Sequence, residues 1–112
     1  MTHHKLKNDK YVKARDGNSY FLDLYCSRCE QFLVLYQKDG QGALIRLYLD
    51  RFFAPKELAV LQYDCKEKKD MPNLKCSKCG VLIATPMMYE SEQRPAFRLI
   101  RGAFVKKMTI DK

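Results

Sequence analysis

Alternation of apolar and polar side chains is the dominant pattern in this chain. Tyr20, Leu22, Leu24 and Cys26 alternate with Phe21, Asp23 and Tyr25, the period of a half-buried strand. A second strand is predicted at the apolar run Phe32–Tyr36, and a short one over Tyr11–Arg15 before the turn residues Asp16-Gly17-Asn18. Asp39-Gly40-Gln41-Gly42 reads as a hairpin turn, because glycine adopts positive φ freely. The return strand, Ala43 to Asp50, puts Ile45, Leu47 and Leu49 on one face and Leu44, Arg46 and Tyr48 on the other. Pro55 suits the first turn of a short helix running to about Tyr63, yet Val60-Leu61-Gln62-Tyr63 reads equally as a strand, and both readings stay open. A solvated charged loop follows at Lys66–Asn73, then a strand at Val81–Ala84, a loop at Glu90–Pro95 and a last strand over Phe97–Val105. The expectation is a mainly β fold: an antiparallel sheet with at most one short helix, as a single domain over residues 11–112 behind a disordered basic tail at 1–10.

Into this pattern two Cys-x-x-Cys units are inserted, Cys26-Ser27-Arg28-Cys29 and Cys76-Ser77-Lys78-Cys79, with forty-six residues between them. Strand-like sequence enters and leaves each, so two hairpin tips can face each other across an ion. Four thiolates match the tetrahedral sulfur ligation that zinc takes in structural sites. Iron accepts the same ligand set. A thioredoxin-type redox pair would open a helix inside a βαβ pattern, and neither unit precedes a helical pattern. Cys65 is left over and reads as a partly buried free thiol. Arg28, Lys75 and Lys78 lie in or beside the two units, where they either offset the −2 charge of a tetrathiolate site or are simply solvated.

The arrangement resembles the zinc-ribbon proteins, on Cys26, Cys29, Cys76, Cys79 and Gly80. The stretches Leu35–Gly40 and Leu47–Arg51 are also similar to small bacterial zinc-ribbon proteins of unassigned function. The resemblance implies an elaborated zinc ribbon, with one structural zinc ion per chain held by two knuckles on β-hairpins. Two departures stand out: Glu30 occupies a place where the first knuckle often has glycine, and the long spacer implies added strands.

Charge refines the picture. Of 112 residues, 21 are basic and 13 acidic, a net charge of +8. Residues 1–15 and 98–112 each hold five basic side chains against one acidic, while 16–97 holds eleven of each, so the excess sits at the two ends. No apolar run approaches the ~20 residues needed to span a bilayer, and Met1–Lys13 has no apolar segment of a secretory signal. A cytoplasmic, non-membrane protein is expected, where paired cysteines bind metal more often than they form disulfides.

Little in the chain suggests catalysis. The only histidines, His3 and His4, fall in the tail and read as solvated, which argues against Ser-His or Cys-His nucleophiles. There is no Walker-type or dinucleotide-binding glycine loop. Asp23, Asp39 and Asp50 occur singly and read as solvated structural residues. The first functional expectation is therefore a non-catalytic adaptor, or a regulator or inhibitor of a partner enzyme. It rests on the neutral body, seven tyrosines and six phenylalanines, with a β-edge homodimer as one form of pairing. The second is nucleic-acid or ribosome binding through the basic ends, with Arg98, Arg101, Lys106 and Lys107 flanking Phe97 and Phe104.

Overall fold

A computed structural model describes residues 4–109. The alternating segment forms β1 (Ser19–Cys26), with Leu22, Leu24 and Cys26 buried as the pattern predicts. It pairs antiparallel with β2 (Phe32–Asp39), Ser19 opposite Asp39 and Leu24 opposite Val34. β2 outruns its apolar stretch by three residues, Gln37, Lys38 and Asp39, all buried. Burying polar groups requires partners, and they are present: Gln37 exchanges hydrogen bonds with the backbone of Lys7 at 2.7 and 2.9 Å, and Asp39 accepts from Ser19 Oγ at 2.7 Å.

The expected hairpin does not follow. Gly40, at φ +76°, lies so close to Arg15 that an added Cβ would stand 2.7 Å from the Arg15 Cβ, and beyond it the chain leaves the sheet. β3 (Arg46–Tyr48) enters a second sheet beside β7 (Arg94–Leu99). A single 3₁₀ turn, Leu49–Arg51, then returns the chain to the first sheet as β4 (Phe52–Ala54), alongside β2. The physical reason is that 43–50 is apolar on both faces. A simple return strand would leave Leu44 and Tyr48 in water, whereas the crossing buries Leu44, Leu47, Tyr48 and Leu49 together.

Residues 56–64 resolve as helical, α2 (Lys56–Ala59) followed by α3 (Leu61–Asp64), with Leu58 and Leu61 packed on the core. β5 (Leu74–Lys75) and β6 (Leu82–Tyr89) extend the second sheet. The predicted strand Phe97–Val105 is two strands: the chain turns at Arg101-Gly102, with Gly102 at φ +83°, and β8 (Phe104–Met108) joins the first sheet beside β1. The result is two four-stranded sheets, ordered β4-β2-β1-β8 and β3-β7-β6-β5, every pair antiparallel. Between them lie Leu24, Val34, Leu47, Phe52, Ile83 and Phe97, with Phe52 stacked on Phe97 at 6.0 Å from the opposite sheet.

Two further expectations are corrected. Residues 11–15 are not a strand: Lys10–Lys13 form a helical turn, α1, because the Asp9 carboxylate accepts from the amides of Tyr11 and Val12. The segment 4–10, expected to be disordered with the rest of 1–10, is docked. Lys7 binds Gln37 and Gln62, and Asp9 pairs with Arg51 at 2.7 Å. The Arg94 guanidinium is sandwiched 3.8 Å from both the Tyr11 and Tyr48 rings, and Arg15 grips Glu92 with two bonds of 2.9 Å. Apolar content is low here, so these cations and carboxylates supply what the hydrophobic pattern cannot.

The Arg15 and Arg94 guanidinia hold the Glu92 carboxyl below the usual carboxylate range. For Asp9, partial burial pushes the pKa up, but Arg51 and the helix amides outweigh it. A carboxyl whose pKa is depressed by folding stabilises the protein above its unfolded pKa, near 4, and loses that contribution as pH falls through the folded value. The stability gap between wild type and Glu92→Gln, measured by urea denaturation, is therefore expected to be constant above about pH 5 and to close below about pH 4.

Candidate metal centre

The first cysteine pair sits on the turn between β1 and β2, the second on the turn between β5 and β6, so each sheet contributes one knuckle. The two turns share one backbone plan. The Cys26 amide donates to Gln31 O at 2.8 Å and the Glu30 amide to Cys26 O at 2.8 Å; Cys76 donates to Val81 O at 2.9 Å and Gly80 to Cys76 O at 2.9 Å. The residue after the second cysteine is left-handed in both, Glu30 at φ +66° and Gly80 at +79°. Only glycine adopts that region without cost, so Glu30→Gly is expected to stabilise the protein by about 0.5–1 kcal/mol, read as a higher urea midpoint.

The four sulfurs converge. Cys26 Sγ lies 3.7 Å from Cys79 Sγ, Cys29 Sγ lies 3.4 Å from Cys76 Sγ, and all four fall within 4.8 Å of one another. A tetrahedron with metal–sulfur bonds of about 2.3 Å has edges of about 3.8 Å, inside that range. Cys26 and Cys76 are buried, Cys29 is half-buried and Cys79 is exposed, so the cluster has an inner and an outer side. Ser27 fastens it to the β7–β8 turn, its amide donating to Ala103 O at 3.1 Å and its hydroxyl to Gly102 O at 2.7 Å.

Local dipoles already favour thiolate. Desolvation pushes the Cys76 thiol up, but the amides of Cys79 and Lys78 and the neighbouring thiols bring it down to about 6. Cys26 is likewise desolvated, yet the amides of Cys29 and Arg28 hold it below the ordinary thiol value. Cys29 receives the Gln31 amide, but desolvation and three crowding thiols push it up to about 12. A group of thiols this close cannot all ionise without a cation among them, and a divalent ion supplies that cation. Arg28 and Lys78 thus serve the sulfurs through their backbone amides, while their side chains, and that of Lys75, are exposed.

The other candidates lie elsewhere. Cys65 is buried, its thiol donating to Asp70 O at 3.3 Å and pushed up by desolvation and by Asp70 and Asp64. His4 is exposed against the edge of Phe53, and His3 lies outside the described residues. Asp39 and Asp50 are not solvated singles: Asp39 takes Arg51 Nε at 2.7 Å, and Asp50 takes Arg94 at 2.7 Å. Their partners are distant in sequence, and the chain's only advance signal was a run of polar residues inside a strand. Phe97, expected with Phe104 to form a stacking surface flanked by basic residues, is fully buried. Among the described residues no helix is long and apolar enough to cross a membrane. The chain matches no family model, no curated protein and no solved structure, so the four-cysteine cluster, consistent with a zinc-ribbon-like metal site, stands on its own geometry.

Proposed function

We propose that Cys26, Cys29, Cys76 and Cys79 hold one structural zinc ion per chain, and that the protein acts without catalysis by binding a partner protein, as an adaptor or as a regulator or inhibitor of a partner enzyme. The observation that carries the metal reading is the meeting of four sulfurs from two different sheets. Four cysteine ligands fill a tetrahedral ion, leaving no position for water or substrate, which is the mark of a structural site. Zinc suits the role because it has no redox chemistry and no geometric preference to oppose the tetrahedron.

The interaction reading is supported by the charge balance of the body and by the outer edge of β8, which among the described residues pairs only with β1 and exposes Val105 and Met108. That edge also suits pairing with a second copy. A second reading, nucleic-acid or ribosome binding, draws support from exposed Lys106 and Lys107 on β8. Against it, Lys7 and Arg15 of the other basic end are engaged within the chain. Affinity capture from the native host at moderate salt, with and without nuclease, separates the two. A defined protein partner that survives nuclease supports the first reading. A partner that vanishes with nuclease, or binding that falls steeply with salt, overturns it in favour of the second.

A further inference from the structure

Four strands form the edges of the two sheets: β3 and β4 hold three residues each, β5 two and β8 five. Among the described residues β8 is therefore the edge with most room for another strand. The Ser27 amide donates to Ala103 O at 3.1 Å and the Thr109 amide to Phe21 O at 3.2 Å. In antiparallel register such bonds recur at every second residue, so Val105 and Lys107 bond to β1. Phe104, Lys106 and Met108 point their N–H and C=O groups at the free edge. The side chains of residues 105–108 are all exposed.

This edge is positive on both of its faces. Lys107 stands opposite Asp23 on the outer face, its ammonium 5.1 Å from the Tyr25 ring, and Lys106 stands opposite the buried Leu24 on the inner face. Neither lysine forms an ion pair among the described residues, and β8 holds no acidic residue. Apolar positions lie at both ends of the pair, Val105 at 44% and Met108 at 62% exposed. A second copy supplies the missing hydrogen bonds but sets two lysines against two. An acidic strand satisfies the backbone and the charge together.

We infer that the free edge of β8 takes an extended acidic segment of the partner protein as a fifth strand of this sheet. Every strand pair in the protein is antiparallel, and that order defines the segment. Read from its N-terminal side, it is apolar opposite Met108, acidic opposite Lys107 and Lys106, and apolar opposite Val105 and Phe104. The inference rests on the partner-protein reading and gives that partner a surface and a chemistry. The edge favours a polypeptide over a nucleic-acid strand, because its alternating N–H and C=O groups match only another peptide backbone.

Titration of the full-length, metal-loaded protein with a capped peptide of core Leu-Glu-Glu-Val-Tyr tests it. The peptide is expected to bind about tenfold or more tighter than its Leu-Lys-Lys-Val-Tyr counterpart and to slow hydrogen exchange at the Phe104, Lys106 and Met108 amides. Methylating the amide nitrogen of its second glutamate, which bonds to the edge opposite Lys106, is expected to cost about tenfold. The same change at the first glutamate, whose amide points away, should cost little. Lys106→Glu, at unchanged melting temperature and metal content, should bring the two peptides close to parity. Equal binding of both peptides by the wild type, no protection of the three amides, or equal cost of the two methylations overturns the inference. So does self-association that protects the same amides without peptide, or an oligoribonucleotide that binds Lys106 and Lys107 where the peptide does not. Should Lys106→Glu fail to fold, the methylated peptides decide on the wild type. A partner captured from the host that binds folded Lys106→Glu unchanged overturns this inference and leaves the partner reading standing. Peptide binding with no partner captured supports the edge and counts against the partner reading.

Discussion

Cys76→Ser is expected to purify with well under one equivalent of zinc and to lose the cooperative melting transition of the wild type. The buried Cys76 sulfur faces Cys29 at 3.4 Å and belongs to the inner half of the cluster, where water cannot stand in for it. An ion held by these sulfurs would join the β1–β2 turn of one sheet to the β5–β6 turn of the other, so its binding free energy would be folding free energy. Structural zinc contributes on the order of 10–16 kcal/mol in small peptides, against a total stability of about 5–15 kcal/mol for a typical domain. Chelation of the wild type should reproduce the variant. Cys79→Ser, at the exposed position, is expected to keep weaker binding with water as fourth ligand, giving a lower but still cooperative transition. Elemental analysis of protein purified without chelator and circular-dichroism melting provide the readouts. A metal-free wild type, or a Cys76→Ser variant that melts normally, ends the proposal, and iron in place of zinc changes the identity of the ion.

Arg51→Met is expected to cost about 3–5 kcal/mol in urea denaturation, the range for removing one partner of a buried ion pair. The Arg51 side chain is 1% exposed and that of Asp39 5%, with Nε 2.7 Å from Asp39 and Nη2 2.7 Å from Asp9. Methionine fills much of the volume but leaves Asp39 buried without its cation. The same guanidinium ties the N-terminal turn to the sheet, so loss of Arg51 should also expose residues 4–15 to faster amide exchange. Lys69 gives the contrast: its pair with Glu67 spans 3.5 Å between side chains 78% and 65% exposed. Lys69→Ala should produce no measurable change. Equal effects at the two sites would show that burial does not govern these pairs.

Local sequence determined what depends on neighbours. The alternation from Tyr20 to Cys26 set one strand and its buried face, since a strand's side chains alternate whatever surrounds it. The Cys-x-x-Cys spacing determined that each dithiol could meet one ion, and Gly80 marked the left-handed position that Glu30 also occupies. Tertiary structure decided the rest. Periodicity at Arg46–Tyr48 said strand but not which sheet, and only the opportunity to bury Leu44, Leu47, Tyr48 and Leu49 together moved it to the second. Phe97 to Val105 carried a continuous strand signal, yet its halves pair with β6 and β1 in different sheets because Gly102 lets the chain turn between them. Asp9 capped a helical turn where apolar spacing suggested a strand, since a hydrogen bond to two amides outweighs a weak β preference. The charged residues were least legible. Asp39, Asp50, Glu92 and their arginines lie up to 77 positions apart, and a Coulombic partner leaves no periodic trace in the chain that supplies it.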